Sequence, residues 1–212
     1  MRVGLFGGSF NPIHLGHLRA AEEVREAMEL DLVYFVPAAS PPHKSDAGLA
    51  PSEHRLRMVQ LATKGNRHFM VSDAEVRRTG PSYTVDTIRH FRATLRAQPA
   101  LFLMMGSDSF TELETWKDAN EIVRLCSMIV HCRSAAGDIQ RSPGALAALQ
   151  RFGYIWKDGY YVHPSGQTLS FVTTTFLPIS ASAIRDKLHN QQSARYLMPV
   201  DVLDYIERHG LY

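Results

Sequence analysis

The chain has 212 residues, of which 45% are hydrophobic, and this length and composition suit one globular domain with a full core. The 23 Lys and Arg against 21 Asp and Glu give a formal charge of +2, which is too small to indicate a nucleic-acid surface and favours small anionic ligands. The two cysteines exclude a disulfide scaffold, and with no leader pattern and no apolar run near the roughly 20 residues that span a bilayer, we expect a cytoplasmic protein without membrane contacts.

The first predicted element is an apolar strand, Val3 to Phe6, which leads into the segment Gly7-Gly8-Ser9-Phe10. Residues without a Cβ let backbone N–H groups approach a phosphate closely or adopt positive φ. A tight turn is the simpler explanation for a Gly-Gly pair taken alone. The segment is therefore a candidate anion site that needs support from its surroundings.

That support comes from a predicted helix over residues 17–29, with His14 and His17 at its N-terminal end. Free N–H groups and the helix dipole give this end a positive potential. Histidines three residues apart present their rings on the same side. A zinc site is the alternative, but metalloprotease helices space their histidines by four residues and place a glutamate beside the first.

Short apolar runs alternate with amphipathic segments along the rest of the chain. Further strands are predicted at residues 32–36, 68–71, 101–105, 128–131 and 169–176, and helices at 53–64, 84–97, about 118–125 and 144–151. Continuous rather than alternating apolarity in the strands is typical of a sheet covered on both faces. The sequence thus predicts an α/β fold with a mostly parallel sheet and helices on both faces.

Polar clusters follow three of these strands, at Gly7 to Ser9, Pro41 to Lys44 and Gly106 to Ser109. Ligands of such folds bind beyond the C-terminal ends of the strands, so we expect the clusters to share one rim. Residues 152–166 look like a peripheral insertion with a hairpin turn at Asp158-Gly159. We expect residues 1–212 to form a single domain in which 180–212 is a small helical subdomain.

Two helices are expected in that subdomain. The last has Pro199 at its first position and Gly210 as its C-cap. The other begins near Ser180 and Ser182, either of which could serve simply as an N-cap. Arg185 lies one turn inside that helix, where its guanidinium can reach back to an anion held at the helix start.

Together, Gly7-Gly-Ser-Phe-Asn-Pro-Ile-His-Leu-Gly-His17 and Ile179-Ser-Ala-Ser-Ala-Ile-Arg185 resemble the two signatures of the H-x-G-H nucleotidyltransferase superfamily. Within it, the chain resembles the bacterial nicotinate mononucleotide adenylyltransferases along nearly its whole length. The intervening matches are Pro41-Pro-His-Lys44, Pro81-Ser-Tyr-Thr84, Gly106-Ser-Asp-Ser109, the Trp116 segment and the final Gly-Leu-Tyr. Ala181 departs from the family pattern, which usually has Ser or Thr there, so one phosphate hydrogen bond is missing or comes from backbone.

The resemblance implies a Rossmann-like doubly wound fold and transfer of the adenylyl group of ATP to nicotinate mononucleotide, with pyrophosphate released, in NAD biosynthesis. It implies these two small molecules as partners and Mg²⁺ arriving with ATP, held by phosphate oxygens and water rather than by a dedicated carboxylate cage. Both a monomer and a homodimer remain open.

The resemblance also implies residue roles. Those for catalysis are His14, His17, Lys44 and Arg185; those for ATP and its phosphates are Gly7, Gly8, Ser9, Phe10, Ser180 and Ser182; those for the mononucleotide are Tyr83, Thr84, Asp108 and Trp116. Simpler explanations exist for three of them: Lys44 as a solvated lysine, Asp108 as a turn former and Trp116 as a core residue.

Several rival functions are also compatible with parts of this pattern. The nearest are an adenylyltransferase that prefers nicotinamide mononucleotide and a phosphopantetheine adenylyltransferase, which is typically shorter and lacks the middle motifs. A class I aminoacyl-tRNA synthetase fragment would show a K-M-S-K-S signature, which is absent. A non-catalytic nucleotide sensor would not require both histidines and Arg185, and a P-loop ATPase is excluded because G-x-x-x-x-G-K-[ST] does not occur.

Overall fold

The structure, a computed structural model, describes residues 1–42, 48–96, 98–132 and 135–212. Within these ranges eight strands form one sheet in the order β3-β2-β1-β4-β5-β8-β7-β6. The strands are β1 (Arg2–Gly8), β2 (Leu32–Pro37), β3 (Phe69–Val71), β4 (Ala100–Gly106), β5 (Ser127–Cys132), β6 (Ile155–Lys157), β7 (Tyr160–Val162) and β8 (Thr168–Thr173).

The central strand β1 pairs in parallel with both β2 and β4, with Val3 opposite Leu32 on one side and Leu101 on the other. The chain runs outward from β1 through β2 to β3, then crosses back to β4 on the other side of β1. The strand order therefore reverses between β1 and β4. In open α/β sheets such a switch point creates a crevice at the C-terminal ends of the strands.

The helices of the described residues are α1 (Leu15–Ala27), α2 (Ser52–Thr63), α3 (Ala74–Arg77), α4 (Thr84–Thr94), α5 (Ser107–Thr111), α6 (Ala119–Leu125), α7 (Ala136–Gln140), α8 (Pro143–Arg151), α9 (Ala181–His189) and α10 (Val200–His209), with one 3-10 turn at Leu113–Thr115. Among these residues, no helix combines the length and apolar character needed to cross a bilayer.

Alternate side chains of the central strands enter two separate cores. Leu101 and Leu103 of β4 pack on one face of the sheet with residues of α4, α6 and α8. Phe102 and Met104 pack on the other face with residues of α1, α2 and α10. Because successive strand residues point to opposite faces, the sheet is buried on both sides, as the apolar runs predicted. The α/β fold with a mostly parallel sheet is confirmed.

The peripheral segment forms a hairpin as expected. Strands β6 and β7 are antiparallel, and the turn between them has positive φ at Asp158 (46°) and Gly159 (102°), as tight hairpin turns require. Strand β7 pairs antiparallel with β8, with Tyr161 opposite Leu169. The hairpin thus extends one edge of the sheet.

Several element boundaries differ from the sequence predictions. Helix α1 begins at Leu15 rather than at His17, so His14 is its N-cap. Pro199 is the N-cap of α10 rather than its first residue, while Gly210 is the left-handed C-cap that was predicted. The polar cluster after β4 is not a loop but the short helix α5, which starts directly after the strand. The shifts at α1 and α10 are one or two residues at an element's end, where local propensities decide little.

Candidate active site

A cleft of about 470 Å³ opens at the C-terminal ends of β1 and β4, at the switch point of the sheet. Its wall combines residues from the first motif with residues from the middle of the chain. The predicted site residues that line it are Gly7, Gly8, Ser9, Phe10, His17, Tyr83, Thr84, Asp108 and Trp116. The three polar clusters therefore share one rim, apart from the part of the second cluster that lies outside the described residues.

The two glycines of the first motif belong to β1 and not to a loop, and neither has a positive φ. That part of the sequence prediction is wrong, because the strand continues to pair with β2 as far as Gly8. The positive φ occurs instead at Phe10, at 45°. A Cβ at Gly8 would lie 3.1 Å from the Phe10 ring, whereas one at Gly7 would meet nothing within 4 Å. Gly8 therefore makes room for a buried aromatic ring, and Gly7 leaves open space beside the strand.

The two histidines stack at the start of α1. Their ring centroids are 3.8 Å apart with 30° between the planes, and His14 is buried with 5% of its surface exposed. The backbone N–H of His14 donates to Nδ1 of His17 at 3.3 Å. Since Nδ1 accepts, the neutral His17 ring carries its proton on Nε2. A Cβ at Gly16 would lie 3.0 Å from His14 Nδ1, so the glycine permits this stacking.

A second, small cavity of about 40 Å³ adjoins the histidines. Its lining includes both histidine rings together with His131, Thr174 and Ile179. Ile179 is the first residue of the second motif, so this motif reaches the cavity beside the histidine pair. The two signatures are thus neighbours in space.

The hydroxyl and guanidinium groups of the second motif lie outside the lining of the main cleft. Ser180 caps α9, with its Oγ accepting from the N–H of Ala183 at 3.2 Å, and Ser182 Oγ lies 3.2 Å from that oxygen. Both serines are exposed. Arg185 reaches back to the first motif, where its Nη1 donates to the carbonyl oxygen of Asn11 at 2.8 Å. The capping explanation for Ser180 is confirmed, and its phosphate role stays a prediction.

Lys44 lies outside the described residues, but the segments on either side of it are fixed by a buried arginine. Arg55 is fully buried and donates to the carbonyl oxygens of Ser9 at 2.8 Å, Ala39 at 2.9 Å and Ala50 at 2.8 Å. Burial lowers its pKa, with the nearby charges opposing this shift. Arg55 therefore joins the residues after β1 to both ends of the Pro41–Lys44 segment.

Tyr83, Thr84 and Trp116 also line the cleft. Tyr83 is the N-cap of α4 and Thr84 its first residue, while Trp116 follows the 3-10 turn and is partly buried against the core. Asp108 lies in the first turn of α5. Lys117, the residue after Trp116, places Nζ 4.3 Å from the centre of the Tyr83 ring.

Several residues of the cleft wall were not assigned to the site from the sequence, among them Lys117, His131, Glu75 and Ser82. His131 could have been found as a polar residue near the C-terminal end of a parallel strand. Glu75 is buried; it accepts from Thr87 Oγ1 and is hydrogen-bonded to Ser82. Burial raises its pKa, although these two bonds and the charge of Arg78 oppose that shift. No pattern in the sequence marks Glu75, because its burial depends on tertiary packing.

Ser82 joins the residues before α4 to the backbone after β2. Its Oγ accepts from the N–H of Ala39 at 2.9 Å and of Ser40 at 3.2 Å, which lie just before the Pro41–Lys44 segment. The following residues are Tyr83 and Thr84. Among the described residues, no group of three or more His, Cys, Asp or Glu is arranged to hold a metal ion.

Comparison with known proteins agrees with this geometry. The family model described as cytidylyltransferase-like matches residues 5–187. Probable nicotinate-nucleotide adenylyltransferases from Trichlorobacter lovleyi and Geobacter metallireducens are 46% and 43% identical to the chain, covering all of it and 99% and 98% of their own lengths. The nicotinic acid mononucleotide adenylyltransferase of Plasmodium falciparum, solved in complex with NaAD, has a TM-score of 0.75 at 17% identity and covers 100% of this chain and 97% of its own, which shows a shared fold. The chain belongs to the cytidylyltransferase-like family and, within it, to the nicotinate-nucleotide adenylyltransferases.

Proposed function

We propose that this enzyme transfers the adenylyl group of ATP to nicotinate mononucleotide, giving nicotinate adenine dinucleotide and pyrophosphate, in NAD biosynthesis. The observation that carries the proposal is the stacked pair His14 and His17 at a helix start, beside a cleft whose far end is built by Tyr83, Thr84 and Trp116. The names of relatives more than 40% identical over the full chain agree with it.

The reaction needs no protein nucleophile. A phosphate oxygen of the mononucleotide attacks the α-phosphorus of ATP in line with the departing pyrophosphate. This phosphate has a second pKa of about 6, so it is already deprotonated near neutral pH and a general base would add little. Catalysis therefore consists of holding two anions in line and neutralising the charge that moves onto the pyrophosphate.

His17 acts on that charge as a donor, because its Nδ1 accepts from the backbone N–H of His14 and its proton therefore lies on Nε2. His14 stacks against it and acts on the same phosphates. The backbone of Gly7 to Phe10 and the Ser9 hydroxyl contact the triphosphate at the end of β1, where the N-terminus of α1 adds positive potential.

Arg185, Ser180 and Ser182 approach the triphosphate from the second motif, and Lys44 approaches it from the segment after β2. Arg185 is already directed at the first motif through the Asn11 carbonyl. In this arrangement the two signatures form the two sides of a phosphate clamp, and Lys44 adds a second positive charge to that of Arg185.

The acceptor occupies the other end of the cleft. Trp116 offers a flat face on which the nicotinate ring stacks, and Tyr83 and Thr84 contact the ring from the start of α4. Asp108 accepts from ribose hydroxyls. Ser82, tied to Glu75 and to the backbone of Ala39 and Ser40, keeps this end in register with the ATP side.

The divalent cation enters as part of the substrate, MgATP. Mg²⁺ retains water and prefers phosphate oxygens supplemented by one or two protein ligands. The cation's chemistry is to neutralise charge on the triphosphate, while the side chains orient it.

The two thiols fit a cytoplasmic enzyme. Cys126 and Cys132 are free and buried, and burial raises the pKa of Cys126 to about 12 and of Cys132 to about 11. Thiols with such pKa values are not reactive thiolates. We therefore assign them to the core of a protein that works in a reducing compartment.

The test is pyrophosphate release by purified protein supplied with ATP, Mg²⁺ and one acceptor at a time: nicotinate mononucleotide, nicotinamide mononucleotide or phosphopantetheine. We expect the largest kcat/KM with nicotinate mononucleotide. A larger value with either of the other acceptors would replace the proposed substrate, and release with none of them would overturn the enzyme assignment.

A further inference from the structure

Lys117 projects over the end of the cleft assigned to the acceptor. Its Nζ lies 4.3 Å from the centre of the Tyr83 ring and 3.4 Å from Asp86 Oδ2, and its side chain is 43% exposed. In the described part of the cleft wall, Lys117 carries the one side chain with a permanent positive charge. The carboxyl groups of that wall belong to Glu75 and Asp108.

The acid and amide forms of the acceptor differ by one negative charge on the ring substituent. Backbone N–H groups donate to a carboxylate and to an amide oxygen alike, so they separate the two forms only in part. The backbone N–H of Trp116 does not contribute in this way, because it donates to the carbonyl oxygen of Leu113 at 3.0 Å. A full positive charge near the ring attracts the carboxylate and gains little from a neutral amide.

We propose that Lys117 is a specificity-determining residue, whose ammonium group selects the nicotinate carboxylate over the nicotinamide amide. The inference rests on the proposed function, since it takes the ring to lie on Trp116, the neighbour of Lys117. The cation–π contact with Tyr83 holds the ammonium beside the pocket, and the N–H groups that do not donate to Asp86 remain for other acceptors.

Asp86 does not cancel this charge. Its Oδ1 is 2.8 Å from Nη1 of Arg89, so the single carboxylate is shared between Arg89 and Lys117. Asp86 lies 3.4 Å from Lys117 Nζ but 2.8 Å from Arg89 Nη1, so its contact with Lys117 is the longer one. The Lys117 side chain is also 43% exposed, and ion pairs of exposed side chains are weak. A substrate carboxylate can therefore bind the ammonium of Lys117, because only the weak contact with Asp86 is lost.

The experiment compares Lys117→Met and Lys117→Arg with the wild type. The matched control is Lys157→Met, which removes the same charge from an exposed position on β6. The readout is the ratio of kcat/KM for nicotinate mononucleotide to that for nicotinamide mononucleotide, at saturating MgATP. We expect Lys117→Met to lower this ratio about tenfold, as for loss of a hydrogen bond to a charged group. The change should come from a lower kcat/KM for nicotinate mononucleotide, with kcat/KM for nicotinamide mononucleotide unchanged. Lys117→Arg and Lys157→Met should stay within about twofold of the wild type.

An unchanged ratio in Lys117→Met, or equal losses for both acceptors, would overturn the inference and leave Lys117 a packing partner of Tyr83. If Lys117→Met is poorly folded by circular dichroism, Lys117→Gln provides the same comparison with a polar side chain. Calorimetric binding of the two mononucleotides without ATP separates the two proposals. A wild type that binds the acid more tightly than the amide through Lys117, but forms no dinucleotide, would contradict the proposed function and support this inference.

Discussion

Arg185 of the second motif donates to the carbonyl oxygen of Asn11 in the first motif at 2.8 Å, across 174 positions of sequence. Asn11 is also bound through its side chain: Oδ1 accepts from the N–H of Ala50 at 3.0 Å and from the Tyr212 hydroxyl at 2.5 Å, and Nδ2 donates to Gly48 O at 2.8 Å. One buried asparagine therefore joins both signatures to the end of the segment that carries Lys44.

Removal of the Tyr212 hydroxyl tests this junction. Tyr212→Phe keeps the ring and removes one hydrogen bond, so we expect about 1 kcal/mol of lost stability. Asn11 lies just before the histidine pair, so loosening it should also weaken ATP binding. We expect KM for ATP to rise by about two- to fivefold, which corresponds to part of the lost free energy. The control is Tyr205→Phe, which loses a similar bond to His54 Nδ1 between α2 and α10. Equal KM values for the two variants would show that Tyr212 acts only on stability.

His17→Ala tests the donor role. We expect the variant to remain folded and to bind ATP within about tenfold of the wild type, while kcat falls at least about a hundredfold, as when a preorganised transition-state donor is removed. Equilibrium binding of a non-hydrolysable ATP analogue and steady-state kinetics give the two quantities. A kcat within a few-fold of the wild type would show that His17 does not stabilise the developing charge.

Trp116→Ala tests the stacking surface of the acceptor. Loss of ring stacking costs about 1–3 kcal/mol, so KM for nicotinate mononucleotide should rise at least about fivefold with KM for ATP unchanged. Trp156→Ala is the control, because Trp156 is 53% exposed on the β6–β7 hairpin, remote from the cleft lining. Equal increases in both KM values would indicate that Trp116 only supports the core.

Glu75→Gln tests the buried carboxyl of the cleft wall. Burial raises the pKa of Glu75 above its ordinary 4.5, so the folded protein holds this proton more tightly than the unfolded chain does. The resulting stabilisation is complete below pH 4.5 and is lost as the pH rises through the raised pKa. The Tm of the wild type minus that of Glu75→Gln should therefore fall between pH 4.5 and pH 8. A Tm difference that rises with pH would contradict this, because it would mean that folding favours the charged carboxylate of Glu75.

Much of the fold followed from the sequence, because the apolar runs are continuous and the helices between them amphipathic. The first strand, the helix at the histidines and the turn at Asp158-Gly159 all appear, although β1 continues to Gly8 and α1 begins at Leu15. The order of the strands could not be predicted from the sequence, because pairing between distant segments produces no local sequence pattern. Strand β8 ends at Thr173, short of the predicted Phe176, because the apolar pattern outlasts the pairing with β5.

The parts of the site that belong to sequence motifs could be predicted, whereas the parts that depend on tertiary packing could not. The residues from Gly7 to His17 and the Tyr83, Thr84 and Trp116 group were identified from the resemblance, and the cleft brings most of them together. Arg55, Asn11 and Glu75 were not recognised, because a charged or polar residue is conspicuous only once its burial is known. The conformation of the first motif was also misjudged, since strand pairing overrode the freedom of its two glycines.

The most direct measurement follows a label from the α-phosphate of ATP. With MgATP labelled at that position and nicotinate mononucleotide, we predict that the label appears in a dinucleotide of the mass of nicotinate adenine dinucleotide, with one unlabelled pyrophosphate released per dinucleotide. Label that stays in ATP, or that leaves as free AMP or ADP without a dinucleotide, would contradict adenylyl transfer to this acceptor.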